Sequence, residues 1–135
     1  MTRMRHLIVL LITGVSSVVA PPTAWAYDTV TYEVISDSVG AANIEYFDHS
    51  QRQVLNGAKL PWRADVTVVD PHSNSTEGAE VRADWRAYMP ASPLPPGHPI
   101  GYWVTVRISL RGKVICQNTL DLGDAACYGS TTFLS

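Results

Sequence analysis

The chain has 135 residues, 46% of them hydrophobic and 16% charged, with two cysteines and a formal net charge of −2. That length suits one domain, and the apolar share excludes a disordered chain. The acidic balance removes the electrostatic footprint of a nucleic-acid binder, and two cysteines are too few for a disulfide-dense miniprotein.

Arg3, Arg5 and His6 form a basic start ahead of an apolar run over residues 7–20, which Pro21 and Pro22 break. Ala24-Trp25-Ala26 then supplies small residues at the two positions a signal peptidase reads. Residues 1–26 therefore read as a secretory signal cleaved between Ala26 and Tyr27, leaving residues 27–135 as the domain. The alternative is an uncleaved membrane anchor. A spanning helix needs about 20 apolar residues, and the proline pair stands where such a helix would have to continue. Cleavage removes two of the ten basic residues and none of the twelve acidic ones, so residues 27–135 carry a formal −4. The expected location is outside the plasma membrane, in the envelope or the medium, with membrane attachment only if the segment is retained.

Period-2 alternation dominates residues 27–135, and no window there holds a helical period. Residues 29–35 place Val30, Tyr32 and Val34 on one face. Over residues 42–47, Ala42, Ile44 and Tyr46 alternate with Asn43, Glu45 and Phe47. A short piece at residues 53–55 meets Asn56-Gly57, a turn signal because both residues tolerate positive φ. Residues 62–69 put Trp62, Ala64, Val66 and Val68 inward, and a polar loop covers residues 71–78. Residues 79–88 alternate with Val81, Ala83, Trp85 and Ala87 inward, which requires one wet face and so an antiparallel sheet. Five prolines between residues 89 and 99 exclude regular structure there. Tyr102, Val104, Val106, Ile108 and Leu110 form the longest alternating strand, Arg111-Gly112 turns it into a strand over residues 113–120, and a last strand covers residues 126–133.

These make about seven strands, with turn signals at sandwich spacing. The predicted fold is an all-β, immunoglobulin-like antiparallel β-sandwich, with a small barrel second. Outside the cytoplasm a Cys116–Cys127 disulfide is favoured over two buried thiols. Its short loop contributes about 2–3 kcal/mol.

Chemistry is sparse. His49, His72 and His98 lie in separate turns with no close-spaced pair to hold a metal. No nucleophile elbow or phosphate-cradling glycine motif occurs, and the carboxylates are scattered. Asn74-Ser75-Thr76 is a glycosylation sequon that matters only in a host that uses it. The reading is a protein with neither enzymatic activity nor cofactor, set against a hydrolase assembled from loop His and Asp residues. Trp62 and Trp85 share the inward phase of their strands. Trp103 is out of phase with its neighbours and, with Leu94 and Ile100, forms a candidate exposed apolar patch for partner or lipid contact.

Three segments resemble the MmpS proteins of mycobacteria and related actinobacteria, the small partners of MmpL lipid transporters. The first is Val30-Thr31-Tyr32-Glu33-Val34 leading into Ala42-Asn43-Ile44-Glu45-Tyr46-Phe47-Asp48, and the second is Leu60-Pro61-Trp62 opening a Thr/Val-rich strand. The third is Val106-Arg107-Ile108-Ser109-Leu110-Arg111-Gly112-Lys113-Val114 with the later Cys127. The resemblance implies an extracytoplasmic sandwich that assists an MmpL-type pump in moving envelope lipids or siderophores, without catalytic residues or cofactor. It also implies a retained N-terminal helix, against the cleavage that Ala24 and Ala26 predict. The alternative function is a freely secreted binding module for a host or cell-surface ligand.

Overall fold

The alternation of Val30, Tyr32 and Val34 becomes a strand, β1 (Asp28–Ile35), with all three side chains fully buried. The other strands are β2 (Ala41–Asp48), β3 (Gln51–Lys59), β4 (Trp62–Val68), β5 (Glu80–Asp84), β6 (Val104–Leu110), β7 (Lys113–Leu120) and β8 (Asp124–Tyr128). This computed structural model describes residues 17–20, 26–89 and 101–131. Two four-stranded antiparallel sheets form, in the orders β4-β1-β6-β7 and β3-β2-β5-β8. Their inner faces enclose one core that includes Tyr32, Ile44, Val81, Trp85, Val106 and Ile108. The β-sandwich expected from the alternation is what the chain builds.

Several local expectations are corrected. Asn56-Gly57 is not a turn. Ala42 pairs with Ala58 and Ile44 with Leu55, so Asn56 and Gly57 together oppose Asn43 in a β-bulge. Gly57 takes φ +67 there, and its N–H donates to Asn43 Oδ1 at 2.9 Å. The chain reverses earlier, at His49 and Ser50, with φ 50 and 60. Positive φ at both central residues matches the strand twist of a two-residue hairpin. Residues 51–59 are therefore one full strand, which raises the count to eight. The strand expected over residues 79–88 ends at Asp84, and a 3₁₀ turn (Arg86–Tyr88) follows, leaving Ala87 exposed rather than inward. The strand expected from Tyr102 starts at Val104, and the last strand stops at Tyr128. Phe47 is buried yet outside the main core: it keeps the outward phase and lies under the Arg52 guanidinium, 4.7 Å from its ring centre.

Tyr32 ties the sheets together. Its hydroxyl donates to the Phe47 carbonyl on β2 at 2.8 Å and accepts from the Glu80 N–H on β5 at 3.2 Å. Burial pushes its phenol well above the usual tyrosine range. Tyr32→Phe strips partners from two backbone groups without changing the packed ring. It should cost about 1–3 kcal/mol in urea unfolding with an unchanged m-value. A cost below a few tenths of a kcal/mol would show that water replaces the hydroxyl.

At one side of the sandwich β7 and β8 meet across the sheets. Cys116 and Cys127 are disulfide-bonded with their Cα atoms 5.7 Å apart, and Asn118 Nδ2 donates to the Ala126 carbonyl at 2.6 Å. Alternating strand directions give the molecule two ends. Residues 36–40, 85–89, 101–103 and 121–123 lie at the upper end, joined by Trp85 N–H to Gly123 O and Ser36 Oγ to Trp103 O. The β2–β3 and β6–β7 hairpins, the loop over residues 69–79 and residues 129–131 lie at the lower end, where β1 begins.

Candidate docking surface

The β6–β7 register sets the upper end. Val104 pairs with Leu120, so Trp103 and residues 121–123 leave the sheet side by side. Gly101 has φ +115, and a Cβ there would fall 2.7 Å from Trp103 Nε1 and 3.1 Å from Asp121 Oδ2. The glycine thus lets the indole and the carboxylate close over the backbone. Trp103 is 46% exposed, as its phase predicted, and Leu122 is 75% exposed. Leu94 and Ile100, the other two residues of the predicted patch, lie outside the described residues. Leu120, 37% exposed, and Leu122 are the other exposed large apolar residues at this end. Sequence reasoning passed over them because they flank a turn, although two leucines around Asp121 in a polar loop were a visible signal.

Leu120 also edges an open depression of about 560 Å³ on the outer face of β2, β5 and β8, beside Val54 of β3 and Tyr128. Val54 is 55% exposed. Around these apolar residues the charges are paired along the strands. Arg52 reaches Glu45 at 2.9 Å, Arg82 binds Glu80 at 2.5 Å, and Arg86 pairs with Asp84. The Arg86 hydrogen bond holds the Asp84 carboxyl below the usual aspartate range. The Arg82 guanidinium lies 5.6 Å from the Tyr128 ring centre. Such pairing fixes side chains that would otherwise be mobile and leaves the face nearly charge-balanced, a surface suited to protein contact.

Among the described residues the candidate chemical groups do not assemble. His49 Nδ1 lies 2.8 Å from Asp48 Oδ1 in its hairpin, while the His72 ring donates to the Gly129 carbonyl at 2.8 Å. His98 lies outside the described residues. No group of three His, Cys, Asp or Glu side chains among the described residues could hold a metal. The cleavage motif falls largely outside the description as well: Ala24 is not described, and Ala26 and Tyr27 are exposed. No helix among the described residues is long and apolar enough to cross a membrane.

Comparison with known proteins gives one family. The family described as Mycobacterium membrane protein matches residues 7–80, more than half of the chain. No curated protein matches it.

Proposed function

The chain belongs to the Mycobacterium membrane protein family and is MmpS-like, and from that premise we propose that it is a non-enzymatic accessory protein of the cell envelope. In this reading it assists an MmpL-type transporter in moving envelope lipids or siderophores, on the outer side of the plasma membrane. The observation that carries the reading is the upper end, where Trp103 and Leu122 present apolar surface just beyond the ends of β6 and β7. Two exposed large apolar side chains at one end contribute to association by burial against a partner, at about 1.5–3 kcal/mol for each.

The test is co-purification from native membranes, with the transporter identified by mass spectrometry. The wild-type chain should bring down a large MmpL-type transporter. The double variant Trp103→Ser/Leu122→Ser should lose it by at least tenfold with an unchanged thermal midpoint. Equal recovery of the transporter with both chains would remove the upper end from the interface. The second reading, a freely secreted binding module, rests on Ala24-Trp25-Ala26. It predicts that the exported chain is found in the medium with the intact mass of residues 27–135 and no transporter attached.

A further inference from the structure

At the lower end, away from the docking surface, a second cleft of about 710 Å³ opens between the β6–β7 hairpin and the turn after β8. Its size is that of a small-molecule site, about 300–1,000 Å³. Leu110, Val114 and Ile115 line it, and Leu110 and Ile115 also pack against the core, so the floor continues the inter-sheet interior. A bulge sets this arrangement. Ile108 pairs with Cys116 and Ser109 with Val114, leaving Ile115 as the extra residue, while Leu110 pairs with Lys113. Paired residues share a face, and Leu110 is in phase with buried Val106 and Ile108. The register therefore sets Lys113, itself exposed, opposite Leu110 at the cleft mouth.

The charges of the lining are one-sided. Among the described residues His72, Arg111 and Lys113 line the cleft and no acid does, in a chain of net charge −2. Arg111 is taken up by Asp28 at 2.6 Å, and His72 donates to Gly129. Lys113 has no acidic partner within 4 Å among the described residues. One uncompensated cation above an apolar floor complements one kind of ligand. We propose that this cleft binds the acyl chain of a monoanionic amphiphile, with the Lys113 ammonium at its carboxylate and Leu110, Val114 and Ile115 along its hydrocarbon. The site stands apart from Trp103 and Leu122, and needs no transporter.

The test is a methyl NMR titration of the full chain with decanoate and, separately, with decan-1-ol. Decanoate should shift the Leu110, Val114 and Ile115 methyl signals saturably, and decan-1-ol should bind about fivefold more weakly. Lys113→Gln should weaken decanoate by about fivefold and leave decan-1-ol unchanged, because only the carboxylate uses the ammonium. Equal decanoate affinity of Lys113→Gln and wild type overturns the proposal, as do shifts confined to Val54, Leu120 and Leu122. So does binding seen only when the chain ends at Thr131, which would make its own last four residues the occupant. Without a transporter in the sample, failure here leaves the docking proposal intact, and failure of co-purification leaves this one intact.

Discussion

Replacing Trp85 by Ala should lower the unfolding free energy by about 3–5 kcal/mol, the range for emptying a fully buried aromatic site. Trp85 is 0% exposed and sits where β5 gives way to the 3₁₀ turn. Its N–H donates to Gly123 O at 2.8 Å and its carbonyl accepts from Tyr88 at 2.9 Å, so the backbone on both sides is fixed and cannot collapse into the void. The indole Nε1 is buried with no hydrogen-bond partner among the described residues. Trp85→Phe should therefore cost only the lost packing, about 1–2 kcal/mol, because no hydrogen bond disappears with the nitrogen. Urea unfolding of both variants checks this. A Phe variant as damaged as the Ala variant would mean that Nε1 has a buried partner, such as an ordered water.

The second large effect is the disulfide. Cys116→Ser/Cys127→Ser opens a loop with a sequence separation of 11 and should cost about 2–3 kcal/mol. For a domain of this size the thermal midpoint should fall by roughly 10–15 °C. The loss has a location. β7 and β8 are edge strands of different sheets, joined by the bond and by Asn118 on Ala126. Their separation exposes the core-facing side chains of that edge. Hydrogen exchange should accordingly rise first at β7 and β8 in the double variant. Uniform exchange across all eight strands would place the bond's contribution in the unfolded chain alone.

Alternation made the sandwich readable, because period-2 patterns at Val30, Tyr32 and Val34 and along β6 require one buried face each. What the pattern does not encode is where a strand is interrupted. Asn56-Gly57 has the composition of a hairpin turn, but Gly57 serves a bulge because Asn43 and Tyr88 meet there, Tyr88 donating to Asn43 Oδ1 at 2.9 Å. His49 stands in a turn, as expected, but that it and Ser50 are the two central residues of a tight hairpin depends on the N–H of His49 bonding to Thr67 O across the sheets. These are contacts between residues far apart in sequence, and a local window cannot see them. The same holds for the surface. Trp103 was legible by phase, but its neighbour Leu122 arrives through the β6–β7 register. The phase of Lys113 depends on the bulge at Ile115, which inverts what simple alternation from Cys116 would give.

The proposed contact at the upper end can be mapped by placing a photoreactive side chain at Leu122 in one variant and at Ser130, at the opposite end, in another. Both are activated in native membranes. Cross-linking to an MmpL-type transporter from position 122 and not from position 130 is the result expected. Cross-linking from position 130 alone, or from neither position while the transporter is present, would contradict it.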